Sequence, residues 1–146
     1  MPVPKSGLAQ PGTLWPPERI AIALVAHGVG SKVVPCIVRV TPIRKAAWSG
    51  ASQRPSPTEQ YQTMGVQGSI SDLKPKEIVM VDDIVTRGAT FLGAANRLVQ
   101  AFPEARIYAW AAMRTISNSS EFKSLYSPVS ETITYRSDSD DSLRRS

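Results

Sequence analysis

One pattern, spanning residues 76 to 114, leaves the chain few ways to fold. A compact β-forming run over 76–81 ends in two aspartates, Asp82 and Asp83. The short link Ile84-Val85-Thr86-Arg87-Gly88 leads into a helical pattern over about 89–101. There Phe91, Leu92, Ala95, Leu98, Val99 and Phe102 recur at three- and four-residue spacing, while Asn96, Arg97 and Gln100 face out. Pro103 has no N–H to continue that helix. Residues 106–113 then read as a second buried strand. Strand, helix and strand at this spacing predict a right-handed βαβ unit in a parallel sheet.

The same segment carries the most chemistry. In open parallel sheets ligands bind beyond the C-terminal ends of strands, which is where Asp82 and Asp83 fall. Adjacent carboxylates repel, so both are retained more easily when sugar hydroxyls or a divalent cation engage them. Thr86-Arg87-Gly88-Ala89-Thr90 follows where the backbone turns into the helix. Exposed N–H groups and the positive end of the helix dipole make such a turn an anion site. Gly88 permits close approach of an oxyanion, and the two threonine hydroxyls add donors. An acidic pair beside a phosphate cradle describes a sugar-phosphate site.

The thirteen residues 78–90, Ile-Val-Met-Val-Asp-Asp-Ile-Val-Thr-Arg-Gly-Ala-Thr, resemble the fingerprint by which type I phosphoribosyltransferases bind 5-phosphoribosyl diphosphate (PRPP). Arg87 stands where that loop more often carries threonine or alanine. The resemblance implies that Asp82 and Asp83 are the catalytic pair holding the ribose hydroxyls. It implies that PRPP lies along Val85, with Thr86, Arg87, Gly88, Ala89 and Thr90 around the 5-phosphate. It also implies a Mg²⁺ cofactor held mainly through PRPP, with Asp82 and Asp83 as candidate ligands, and an unidentified base as second substrate. On the pyrophosphate side, Pro2-Val3-Pro4-Lys5-Ser6 is similar to the family's first strand and its short loop. Lys5, Ser6, Arg39, Arg44, Lys45 and Arg54 are therefore the candidates to meet the diphosphate. The order of segments is similar to the ComF-like branch, which brings homodimers and DNA-processing or nucleic-acid partners into view.

Elsewhere the signals are coarser. Pro16 and Pro17 precede a helical run to Ala26, apolar over most of its circumference and so expected to be largely buried. His27 reads as a helix-end residue and Cys36 as buried packing. Residues 32–40, rich in Val and Ile, predict a strand. Residues 41–75 lack regular periodicity apart from a short candidate strand at 62–66, and read as a long flexible loop that closes over ligand. Residues 121–126 suggest a short helix and 132–136 a short strand, whereas 137–146 lack aromatic and β-branched residues and predict a disordered tail.

Composition narrows the class. With 146 residues, 42% apolar and 20% charged, there is room for one domain with a real core. No apolar run approaches the roughly 20 residues that span a bilayer, and the N-terminus does not read as a signal peptide. A single cysteine permits no internal disulfide, and a cytoplasmic location is the simplest expectation. Residues 1–60 hold seven Lys and Arg against two acids, while the remainder balances at ten against ten. A basic first part suits a small polyanion or nucleic acid equally. A P-loop is excluded because no Gly-x-x-x-x-Gly-Lys-Ser/Thr run precedes the acidic strand. A receiver domain would carry its acidic pair near the start. The expectation is a single Rossmann-like α/β domain over 1–136, with a central, mostly parallel sheet flanked by helices, as in the type I phosphoribosyltransferase fold. The expected activity is PRPP-dependent phosphoribosyl transfer; non-catalytic sensing of PRPP or nucleotides, or an interaction module, is the rival.

Overall fold

The structure, a computed structural model, describes residues 1–10, 12–44, 54–68, 70, 73–116, 120, 122, 124 and 127–145. Its centre is the segment on which the sequence is most explicit. Strand β3 (Glu77–Val85) pairs in parallel with β4 (Arg106–Arg114), and helix α3 (Ala89–Ala101) connects them. Ala, Leu and Arg favour the helix, and its Phe91, Ala94 and Leu98 fall on one face and are buried. They pack with Ile78 and Met80 of β3, and with Val3, Cys36, Ile37, Met64 and Phe102, into one core. Complete burial of side chains such as Phe91 and Leu98 contributes roughly 1.5–3 kcal/mol each. The helix closes where the Phe102 N–H donates to the Leu98 carbonyl at 2.7 Å, just ahead of Pro103.

Around this unit lie helix α1 (Pro16–Ala26), strand β1 (Ile37–Arg39), helix α2 (Pro57–Gln62), strand β2 (Met64–Val66) and a hairpin of β5 (Thr132–Arg136) and β6 (Asp141–Arg145). The expected Rossmann-like architecture does not form among the described residues. They make three two-stranded sheets, β1–β2, β3–β4 and β5–β6, of which only β3–β4 is parallel. No extended parallel sheet flanked by helices is built. Proline is one physical reason. Pro35 interrupts the Val-rich run expected as a strand over 32–40 and leaves three residues, which pair antiparallel with β2. Pro2 and Pro4 likewise cannot donate to a ladder. The N-terminal segment therefore meets β3 through an isolated parallel bridge, Pro2 to Val81. There the Val3 N–H donates to the Val81 carbonyl at 2.9 Å and the Val81 N–H to the Met1 carbonyl at 2.8 Å, while the Met1 amine donates to the Val79 carbonyl at 2.7 Å.

Three further expectations are corrected. Helix α1 begins at its prolines and is C-capped by His27, but only Pro17 and Ala21 are buried and Ile22 is 51% exposed. It packs against β3. Strand β4 is likewise largely open to solvent instead of buried, with Tyr108, Trp110 and Met113 exposed. The region expected to be a flexible loop contains α2, whose N-terminus Ser56 caps by accepting from the Glu59 N–H at 3.1 Å. Gly93 lets α2 come close to α3, because a Cβ there would lie 2.6 Å from Gln60 Cβ. Arg97 stacks on the Tyr61 ring, 3.8 Å from its centroid. Most of the helix suggested at 121–126 lies outside the described residues.

The C-terminus differs most from expectation. Residues 141–145, expected in a disordered tail, form β6 and pair with β5 in full register from Thr132↔Arg145 to Arg136↔Asp141. Asp140 makes the turn at φ 44°, which an aspartate tolerates. Its carboxylate accepts from Ser56 Oγ at 2.6 Å and Thr58 Oγ1 at 2.7 Å, fastening the hairpin to α2. At the other end Glu131 pairs with Arg114 at 2.9 Å and with Arg144 at 3.0 Å. Arg144 also donates to the carbonyls of Val85 and Thr115, where β3 and β4 end. No helix among the described residues is long and apolar enough to cross a membrane.

Candidate functional site

The outer half of β3 leaves the core and becomes chemistry. Val81 is buried, and the next two side chains, Asp82 and Asp83, stand half-buried where the strand emerges. The Asp83 N–H donates to Asp82 Oδ1 and the Ile84 N–H to Asp83 Oδ1, both at 2.9 Å, so each carboxylate is turned by the backbone that follows it. Burial pushes the Asp82 carboxyl up to about 8, helped by the hydrogen bond and negative charge of Asp83. At neutral pH the Asp82 carboxyl therefore favours its protonated form beside Asp83. The two together offer a hydroxyl-bearing ligand both a donor and an acceptor.

Next the chain turns through Thr86, Arg87 and Gly88 into α3. Gly88 takes φ 94°, a left-handed conformation that side chains seldom adopt, and serves as the helix N-cap. No side chain caps this N-terminus, which leaves its first-turn N–H groups to other acceptors. Above Gly88 sits Ile133 of β5, whose Cδ1 would lie 2.6 Å from a Cβ placed on the glycine. A cavity of about 150 Å³ is lined by residues 82–91, together with Arg54, Gln60, Asp141 and Ser142. Every residue assigned to PRPP from the sequence, Asp82, Asp83, Val85, Thr86, Arg87, Gly88, Ala89 and Thr90, thus lines one space.

The pyrophosphate candidates divide. Arg54 lines the cavity. Arg39 is 6% exposed and held inside the protein, donating to the Lys5 carbonyl at 3.0 Å, Thr63 Oγ1 at 2.6 Å and Gln60 Oε1 at 2.9 Å. Burial lowers its guanidinium to about 10, against the opposing pull of Glu59, and the three bonds mark it as a structural strut. Lys5 Nζ donates to Thr13 Oγ1 at 2.6 Å, the Ser6 carbonyl accepts from the Ile43 N–H at 2.8 Å, and Arg44 pairs with Glu59 at 3.5 Å. Lys5, Ser6, Arg39 and Arg44 are not among the residues that line the cavity. Lys45 lies outside the described residues.

Sequence reasoning missed the far wall of the cavity, which the hairpin supplies. Arg87 Nη1 donates to both carboxylate oxygens of Asp141 at 3.0 Å, and Arg136 reaches the same carboxylate at 3.0 Å. Partial burial works to raise the Asp141 carboxyl, but the Ser142 N–H, Arg87 and Arg136 outweigh it and hold it below the ordinary range. The one available signal was the alternation Thr132-Ile133-Thr134-Tyr135 followed by a Ser/Asp turn, which is the pattern of a short hairpin. No protein-family model, no curated protein and no solved structure matches this chain.

Proposed function

We propose that the cavity binds the ribose 5-phosphate end of PRPP and that the chain is a Mg²⁺-dependent phosphoribosyltransferase. One observation carries this reading: an acidic pair and a glycine-led helix N-terminus share one small cavity. A protonated Asp82 beside the Asp83 carboxyl matches two neighbouring ribose hydroxyls, which need both an acceptor and a donor. The α3 N-terminus, Thr86 and Thr90 suit a dianionic 5-phosphate. About 150 Å³ is below the roughly 300–1,000 Å³ of pockets for larger ligands. The sugar phosphate would fill it, with diphosphate and base over the open side, towards Arg54.

In the reaction the bond from the anomeric carbon to the diphosphate oxygen breaks, and pyrophosphate departs with the electron pair. A nitrogen of the base bonds to that carbon and gives up its proton. The chain fixes the ribose at two hydroxyls and its phosphate, so the anomeric carbon meets the base in one geometry. The negative charge of the acidic pair stabilises the oxocarbenium-like centre formed as the bond breaks. The oxygen-only donors of Asp82 and Asp83 suit Mg²⁺, which when bound would neutralise the departing diphosphate. No group of three or more acidic, His or Cys side chains is gathered among the described residues, so diphosphate and water would supply most of its ligands.

Pyrophosphate release from PRPP and Mg²⁺ with a panel of purine and pyrimidine bases tests the activity. Wild type is expected to release pyrophosphate with at least one base, and the Asp82→Asn/Asp83→Asn protein with none. A second reading, PRPP sensing without turnover, is favoured by the internal engagement of Arg39, Lys5 and Arg44. PRPP binding without release from any base would select it. Failure of the wild type to bind PRPP would sink both readings.

A further inference from the structure

Ser142 is the second residue of β6 and faces Tyr135 across the hairpin. It is 2% exposed, and its Oγ is the one buried side-chain polar atom among the described residues without a hydrogen-bond partner. Buried hydroxyls are ordinarily satisfied, and leaving one unmade is unfavourable. Ser142 lines the same cavity as the α3 N-terminus and Arg87, more than fifty positions earlier in the chain. Its own N–H donates to Asp141 Oδ1 at 2.8 Å, which fixes the backbone beside the cavity. The oxygen is shut off from water in this conformation, and Ser142 itself lines the cavity, so rotation about its Cα–Cβ bond would carry the hydroxyl to an acceptor seated there. A phosphate offers acceptor oxygens, which a rotatable hydroxyl can meet as donor. Nearby donors of the helix N-terminus favour the same charge.

We propose that Ser142 is a phosphate-binding residue, whose hydroxyl donates to a phosphate monoester seated at the N-terminus of α3. The inference rests on the ribose 5-phosphate reading above and deepens it. Strand β6 then completes a site otherwise built from β3, the turn after it and α3. It also gives the hairpin a function beyond covering Gly88: the carboxylate of Asp141 holds Arg87 across the cavity while Ser142 awaits the ligand. Phosphate binding sets the phosphate oxygens in competition with Asp141 for Arg87 and supplies Ser142 with its missing acceptor.

Calorimetric titration of the full chain with ribose 5-phosphate, and with inorganic phosphate as a second probe, compares wild type with Ser142→Ala and Ser142→Thr. Loss of a hydrogen bond to a charged group should weaken both probes about tenfold in Ser142→Ala. The ligand-free melting temperature of that variant should be unchanged or higher, since an unsatisfied hydroxyl is removed. Ser142→Thr keeps the hydroxyl and should bind within about threefold of wild type, a rescue that a packing role would not give. A folded Ser142→Ala protein that binds both probes as tightly as wild type would overturn the Ser142 assignment and leave the ribose 5-phosphate reading standing. Absence of binding of either probe by wild type would overturn both.

Discussion

The two walls of the cavity are built in opposite ways. One wall is local: within residues 82–90 a strand ends, a glycine turns the chain, and a helix begins. The other is assembled from Arg54 and from Asp141 and Ser142, brought in by long-range ion pairs and a hairpin. The local wall rests on a shared hydrophobic core through Phe91, Ala94 and Leu98. The distant wall rests mainly on polar fastenings, Asp140 to α2, Asp141 to Arg87, and Glu131 to two arginines. Apolar burial holds the core beneath one side. The other depends on charge and can loosen by itself.

The sharpest way to break this comparison is to weaken each wall and watch the other. Leu98→Ala removes a fully buried side chain of the common core and should cost about 3–4 kcal/mol across the whole domain. Urea unfolding should show one cooperative transition at a lower midpoint. Arg144→Ala leaves Glu131, whose side chain is 13% exposed, with one fewer partner, and strips donors from two carbonyls at the strand ends. Its effect, about 3 kcal/mol, should fall on the hairpin. Amide exchange should speed up over 132–145 and stay nearly unchanged in α3. Equal acceleration in both would show that the two walls form one cooperative unit.

Asp82 sharpens the comparison through pH. Its folded pKa, about 8, lies above its ordinary value of 3.8, so its contribution to stability is fully present below pH 3.8. That contribution is lost as pH rises towards about 8. Asp82→Asn mimics the protonated form and should flatten this decline, leaving the variant more stable than wild type at pH 8.5. The difference is expected to be on the order of a few kcal/mol by thermal unfolding. The hairpin should behave in the opposite sense. Asp141 sits below its ordinary value, so its contribution is present above the unfolded pKa and is lost on acidification through the lower folded one. The smallest effect is expected for Asp140→Asn. It weakens charge-assisted bonds from Ser56 and Thr58 by about 1 kcal/mol, read as faster exchange at the hairpin turn.

What could be read from the sequence follows the same division. The extent of α3, the parallel pairing of its flanking strands and the gathering of residues 82–90 follow from periodicity, Pro103 and the glycine turn. All of these act within a few residues. Short β2 was visible for the same reason. The Rossmann-like sheet did not follow, because strand order depends on which distant segments pair, and Pro2, Pro4 and Pro35 remove backbone donors from two of them. Arg39 shows the same limit for charge. Sequence marks it as a basic residue near a loop, and only the fold reveals a buried strut bonded to Lys5, Gln60 and Thr63. Strand β5 was visible at 132–136, but its partner β6 was hidden because Ser, Asp and Arg dominate the chain after Arg136. Its order comes from ion pairs with residues as far away as Arg87, which local composition does not record.

The most direct measurement is calorimetric titration of the wild-type chain with PRPP in the presence of Mg²⁺, alongside Asp82→Asn/Asp83→Asn. Wild type is expected to bind one PRPP with a dissociation constant in the range of about 1 µM to 1 mM, typical of substrate affinities. The double variant should lose that binding at least about a hundredfold, because two hydrogen-bonding contacts to ribose are weakened together. A wild type that gives no binding heat, or a double variant that binds as tightly as wild type, would contradict the assignment of residues 82–90 as the ribose 5-phosphate site.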